Sequence, residues 1–262
     1  MIRRVAAHRN GRAARTRQNE QMTPMSIPHA ALEPTAAKTL GPRRSFAPFV
    51  VVSVLHLVFQ LAELQALTTI SKWMLMPALA LAVIASTPAR RSSATALLLA
   101  AITLSWFGDI TPLYASDWFF VLGLSFFLLA HIAYLALFVR GLGYRRPRPI
   151  ALVYVLWWLA FVALLGPWLG ALLVPVAAYG AVLGAMAAFA TRGTMPIAIG
   201  GALFLISDTL LGSDRFLPGL DLWQSGFLIM ITYLGGQGLI AWGVIALQRE
   251  GHRGRALQQQ VL

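Results

Sequence analysis

Long uncharged apolar runs, separated by only a few residues each, decide what this chain can fold into. A helix that crosses ~30 Å of hydrocarbon needs ~20 mostly apolar residues, and without water only helices and closed barrels satisfy their own backbone hydrogen bonds. Runs of about that length occur over residues 45–64, 66–86, 94–112, 119–139, 150–165, 168–190, 195–212 and 222–246. The fifth and seventh are short, and the weakest division falls at Gly166-Pro167. The expected fold is all-α: a polytopic integral membrane protein with eight transmembrane helices in residues 45–247.

Composition carries the same message. Of 262 residues, 58% are hydrophobic and 11% charged, with a mean hydropathy of +0.70, whereas soluble domains keep about a quarter of their residues charged. The net charge of +12 does not point to nucleic acid, because the basic residues sit in short clusters between the apolar runs. With no cysteine, disulfides, thiolate nucleophiles, iron-sulfur clusters and cysteine zinc sites are excluded.

Residues 1–44 differ from the rest. Arg3, Arg4, Arg9, Arg12, Arg15, Arg17, Lys38, Arg43 and Arg44 stand among Ala, Gln, Asn and Pro with no apolar run, which reads as a disordered basic tail rather than a secretory signal. Met22 and Met25 leave open a later start. Residues 248–262 form a short basic tail at the other end. With both termini cytoplasmic, all of the 21 Lys and Arg except Lys72 and Arg215 fall on the cytoplasmic side, as the positive-inside rule requires. In a bacterium that membrane is the plasma membrane.

An ionisable group at the centre of a membrane helix costs roughly 2.5–3.5 kcal/mol on insertion scales, so each one calls for a reason. Asp109 closes Ser105-Trp106-Phe107-Gly108-Asp109 near the end of the third run, and Asp208 closes Leu205-Ile206-Ser207-Asp208 near the end of the seventh. These two helices run in the same direction, which sets both carboxylates about one turn below the same face. His56, Gln60 and Glu63 are spaced to share one face of the first helix; His131 and Tyr134 do so on the fourth, and Tyr233 and Gln237 on the eighth. Lys72 stands in the second run, placed either to join them or to pair with Glu63 across a short connection. These groups are expected to meet in one cavity. Asp117, Asp214 and Asp221 read as solvated caps in outer loops.

His8, His29 and His252 lie in the tails, leaving His56 and His131, too few for a three-His zinc site. A carboxylate-bound magnesium or calcium stays open, and no metal or organic cofactor is assigned. Gly108-Asp109 with Ser116-Asp117-Trp118-Phe119 is echoed by Ser207-Asp208 with Ser213-Asp214-Arg215-Phe216, an offset of four helices that makes a parallel 4+4 repeat an expectation.

The same residues carry a family resemblance. Ser71-Lys72-Trp73-Met74-Leu75-Met76-Pro77, Phe107-Gly108-Asp109, the block from Phe119 through Gly123-Leu124 to Ala130-His131-Ile132-Ala133-Tyr134, Gly201 through Ser207-Asp208, and Tyr233 with Gln237 together resemble the YhhN-like family of membrane lysoplasmalogenases over residues 66–240. Thr111-Pro112 departs from the pattern, which usually continues apolar after the first acid, and the basic tail is outside it. The resemblance implies an eight-helix membrane hydrolase that cleaves the vinyl ether of a lysoplasmalogen, releasing a fatty aldehyde and glycerophosphocholine or glycerophosphoethanolamine. Its partners are then a lysophospholipid substrate and membrane lipids, with no nucleic acid; oligomeric state is not legible.

The residues suit that chemistry. Protonating the alkene carbon of a vinyl ether gives an oxocarbenium ion, which water captures as a hemiacetal that collapses to aldehyde and alcohol. One carboxyl group that holds a proton in low dielectric and one carboxylate that stabilises the cation and positions water are sufficient. Asp109 and Asp208 are the catalytic candidates, without assignment of which is acid and which is base. Lys72, His131, Tyr134, Tyr233, Gln237, Glu63 and Ser207 are the supporting candidates for orienting carboxyls, water or phosphate. Two rival classes are a small transporter whose paired acids carry protons or cations, and a structural protein whose polar groups only bind helices together.

Overall fold

The computed structural model describes residues 41–141 and 149–261. The tail reading of residues 1–44 therefore lies outside the described residues except at its end, as do Arg145, Arg146 and Arg148. The described residues form eight α-helices: α1 (Pro42–Leu61), α2 (Gln65–Ser86), α3 (Ser93–Ile110), α4 (Asp117–Gly141), α5 (Leu152–Leu169), α6 (Leu173–Ala190), α7 (Met195–Phe216) and α8 (Ser225–Val261). Single 3-10 turns cover Pro149–Ala151 and Gly170–Leu172, and there is no strand among the described residues. Among the described residues, seven stretches are long and apolar enough to cross a membrane, so the chain is an integral membrane protein. One of the seven, Pro149–Ala190, is 42 residues long and contains both α5 and α6.

The turn inside that stretch is not at Gly166-Pro167, where the sequence placed it. α5 passes through Pro167 to Leu169, and the chain reverses at Gly170, whose φ of 51° is left-handed backbone that a residue without Cβ adopts freely. The indole N–H of Trp158 then donates to the carbonyl of Ala177 at 2.9 Å, so α5 and α6 lie side by side as an antiparallel hairpin. Gly180 and Gly184 of α6 receive Trp158 and Trp157 without a Cβ in the way.

Three other boundaries differ from the sequence reading. α1 stops at Leu61, and Glu63 sits in the following turn with φ 55°. Glu63 is therefore exposed and does not share a helical face with His56 and Gln60. α7 does not stop at residue 212 but continues to Phe216, because the polar segment at its end is held by neighbours. Arg215 donates to the carbonyl of Leu113 at 2.9 Å and to Asp117 at 3.0 Å, its guanidinium lies 4.3 Å from the ring centre of Phe120, and Tyr114 donates to Asp214 at 2.9 Å. Asp214 is thus a helical residue with a partner rather than a loop cap, while Asp117 opens α4, solvent-exposed as expected and paired with Arg215. α8 extends through residues 248–261; its 37 residues span roughly 55 Å at 1.5 Å per residue, more than a hydrocarbon layer, and its last turns carry Arg249, Glu250, His252, Arg253 and Arg255.

The close packing of α7 on α8 places the site residues those helices carry. A Cβ on Gly200 would lie 2.9 Å from the carbonyl oxygen of Gly236, and one on Gly236 would lie 3.0 Å from that of Gly200. Two facing glycines bring the backbones together, the usual device where lipid gives no hydrophobic drive for helix association. Phe46 of α1 meets Trp242 of α8 edge-on at 5.4 Å. One core, including Leu75, Leu98, Tyr134, Leu183 and Phe204, runs through this packing. A smaller apolar cluster around Phe120, Phe161, Leu165 and Val176 joins α4, α5 and α6.

Candidate active site

Asp109 lies one residue before the end of α3, which Thr111-Pro112 stops: the Thr111 hydroxyl returns to the carbonyl of Phe107 at 2.7 Å, and Pro112 cannot continue the helix. Gly108 beside it packs on the ring of Phe127, where a Cβ would come within 2.6 Å. The Trp106 indole donates to the carbonyl of Trp73 at 2.9 Å, which fixes the Ser71-Lys72-Trp73 turn of α2 alongside this end of α3.

Asp109 is 6% exposed, and its carboxylate accepts a 2.8 Å hydrogen bond at Oδ2 from the hydroxyl of Tyr233 on α8. Behind that tyrosine, Gln237 Nε2 donates to Tyr233 at 3.3 Å and to Ser105 at 2.9 Å, while Gln237 Oε1 accepts from the hydroxyl of Tyr134 on α4. Ser105, Asp109, Tyr134, Tyr233 and Gln237 are buried and paired with one another, the condition under which such a network fixes one geometry.

Asp208 has a separate set of neighbours. Its Oδ2 accepts from the hydroxyl of Tyr179 on α6. His131 Nε2 of α4 stands 4.0 Å away, too far for a hydrogen bond, with its ring edge-on to Phe204 at 4.8 Å and Tyr179 at 5.4 Å. His131 and Tyr134, neighbours on one face of α4, thus turn to different acids. The sequence reading put Asp208 about one turn from its helix end; because α7 continues to Phe216, it lies more than two turns from that end.

The two carboxylates nonetheless line one cavity of about 730 Å³, room for many waters at ~30 Å³ each. It lies at the end of the bundle that carries the α1–α2, α3–α4 and α7–α8 connections. Lys72, Ser207 and Tyr233 also line it, with Gln60, Thr68 and Gly226. Lys72 is half-buried and shares the cavity wall with Asp109. Ser207 donates to the carbonyl of Ile229 at 3.0 Å and so ties α7 to α8. His131, Tyr134 and Gln237 stand behind the cavity wall, and Glu63 is outside it. Among the described residues Arg215 pairs with Asp117 and His131 makes a longer contact with Asp208, while no ion pair joins Glu63 to Lys72, so that alternative is not what forms. No three His or carboxylate side chains converge as a metal-holding group among the described residues.

A model of the YhhN family matches residues 67–244. The chain belongs to the YhhN family. The matched stretch runs from the first turn of α2 into α8 and contains Lys72, Asp109, His131, Tyr179, Asp208 and Tyr233, whereas Gln60, which also lines the cavity, precedes it. Comparisons with curated proteins and with solved structures returned no match.

In this YhhN-family chain, the residue that sequence reasoning missed is Tyr179. It stands in the otherwise apolar run of α6, with no polar residue at helical spacing to draw attention to it. Its one signal is chemical: a tyrosine inside a membrane helix needs a partner for its hydroxyl. Ser105 was legible only as part of the Asp109 motif. His56 faces neither acid; its Nδ1 meets the hydroxyl of Ser71 at 2.9 Å and fastens α1 to α2.

Proposed function

We propose that this YhhN-family protein is a membrane hydrolase that cleaves the vinyl ether of a lysophospholipid, a lysoplasmalogen, to a fatty aldehyde and a glycerophospho-alcohol. The observation that carries the reading is the pair of acids on two different helices lining one cavity, each with a tyrosine hydroxyl on one carboxylate oxygen. That leaves the other oxygen of each free to address a substrate or a water.

The reaction needs one proton delivered to carbon and one water delivered to the carbon beside it. One carboxyl group gives its proton to the alkene carbon and the ether oxygen shares the resulting positive charge. The other carboxylate faces that charge and takes a proton from the attacking water. The hemiacetal then collapses: its hydroxyl proton is lost, the carbon–oxygen bond to glycerol breaks, and the glycerol oxygen picks up a proton, so the net change is addition of one water. The Tyr233 and Tyr179 hydroxyls hold the carboxyl planes, and Lys72 is the cation on the cavity wall suited to the phosphate. No organic cofactor enters.

The reading includes a topology. The 42-residue stretch that holds α5 and α6 is about twice the length one crossing requires, which supports eight crossings with both termini cytoplasmic, in the plasma membrane if the host is bacterial. It also includes a parallel 4+4 repeat: Asp109 and Asp208 are separated by the same number of residues as Tyr134 and Tyr233, and α2 packs on α8 as α6 packs on α4.

The test is purified protein supplied with a lysoplasmalogen and assayed for free aldehyde. Aldehyde release supports hydrolysis. Proton or cation flux in proteoliposomes with no product would replace it with the transport reading.

A further inference from the structure

Beside the wet cavity lies a second, almost wholly apolar hollow between α4, α5, α6 and α7. Leu124, Phe161, Leu183 and Gly212 are among its walls, together with Asp208. Four residues, Leu113, Phe127, Asp208 and Leu211, line both hollows, so the two adjoin at one of the acids. The polar atoms in the apolar walls are already engaged: the Trp157 indole donates to Thr209 at 3.0 Å and the Tyr179 hydroxyl donates to Asp208. A guest there finds no hydrogen bond except at the Asp208 carboxyl.

We propose that this slot takes the hydrocarbon chain of the substrate, with the polar head left in the wet cavity beside Lys72, and that its walls set which chains the enzyme accepts. This rests on the hydrolase reading and deepens it. A lysoplasmalogen is polar on one side of its vinyl ether and hydrocarbon on the other, and Asp208 stands where a wet space meets a dry one. Seating the molecule across that junction puts the chain-side alkene carbon at Asp208 and leaves Asp109, which lines only the wet cavity, on the water side. In the membrane the chain is already among hydrocarbon, so entering the slot gains little from the hydrophobic effect. Selection is by fit. The space left is about 30 Å³ as it stands, about one water's share of the liquid, so a long chain enters only as the Leu and Phe walls part, and the slot depends on a glycine: a Cβ on Gly212 would come within 2.9 Å of the Phe161 ring.

Two experiments on the full chain in nanodiscs test this. In the first, wild-type protein is irradiated with a saturated alkyl-ether lysophosphocholine that carries a diazirine on its terminal carbon, and the labelled residues are mapped by mass spectrometry. Label on Leu124, Phe161 or Leu183, competed away by the unlabelled lipid, is the expected result. Label confined to lipid-facing residues such as Leu156 or Val174, both well exposed, overturns the proposal. Because the probe has no vinyl ether, its seating is read apart from catalysis: a labelled slot in a protein that releases no aldehyde from a lysoplasmalogen would remove the hydrolase reading and leave the slot standing.

In the second, aldehyde release is followed over a series of chain lengths for wild type and Leu124→Trp, which fills the slot. The variant is expected to lose kcat/KM by about tenfold or more for long chains relative to short ones. A folded variant with an unchanged chain-length profile counts against the slot and leaves hydrolysis untouched; if the variant does not fold, the wild-type labelling decides.

Discussion

Tyr233 of α8 donates its hydroxyl to Oδ2 of Asp109 on α3 across 2.8 Å, joining helices that the chain separates by more than a hundred residues. Behind it the network continues through Gln237 to Tyr134 of α4. One helix therefore presents a catalytic candidate, a second holds it and a third anchors the holder. This makes the position of Asp109 depend on residues that never reach the cavity.

Removing the holder should show this. Tyr233→Phe keeps the ring packed on Phe127 and Phe204 but removes the donor, at about 1–3 kcal/mol for a buried group that loses its partner. We expect a fall in kcat larger than the change in KM, with a modest drop in thermal stability in detergent. Tyr134→Phe, one link further back, should have a smaller effect on kcat. Equal rates for Tyr233→Phe and wild type would remove the tyrosine from the account.

Lys72 stands on the cavity wall, and its ammonium is a point charge suited to phosphate. Lys72→Met should raise KM for a phosphate-bearing substrate by about tenfold, the loss of one charge-assisted contact of ~1.4 kcal/mol or more, with partial recovery in Lys72→Arg. Initial rates against substrate concentration check this. If KM is unchanged while kcat collapses, Lys72 acts on the acids rather than on the head group.

How far the site was legible from the chain divides by the kind of signal each residue gives. Charge in an apolar run is costly and therefore conspicuous, so Asp109, Asp208 and Lys72 stood out and all three line one cavity. Tyr179 did not, because a tyrosine in a membrane helix is ordinary until its hydroxyl is seen to end on Asp208. That the described residues form eight α-helices followed from apolar length, although seven stretches qualify as spans, and helix ends did not follow. Arg215 and Asp214 looked like a loop because charges usually leave the membrane at that point, yet pairing with Asp117, Leu113 and Tyr114 keeps them helical. The α5–α6 turn was placed at a proline that the helix tolerates, one turn before the glycine whose backbone actually reverses.

The facing glycines of α7 and α8 give a prediction about stability alone. Gly200→Val would drive a branched side chain into the backbone of Gly236 and Ile240; overpacking of this kind costs about 1–3 kcal/mol or more. We expect a lower melting temperature in detergent, and an activity loss that follows the folded fraction. An unchanged melting temperature would mean that the two helices do not approach as closely as described.

The central claim is that Asp109 and Asp208 act together on one substrate, and it is tested most directly by aldehyde release from a lysoplasmalogen by wild type, Asp109→Asn, Asp208→Asn and the double variant, each shown to be folded. The account predicts that either single change lowers kcat by about 10²–10⁴-fold, as loss of a general acid or base does, with Asp208→Asn the more severe because that acid faces the chain-side carbon. The double variant should be little worse than the worse single one, since the two act as a unit. Aldehyde release within a few-fold of wild type in either folded single variant would contradict it.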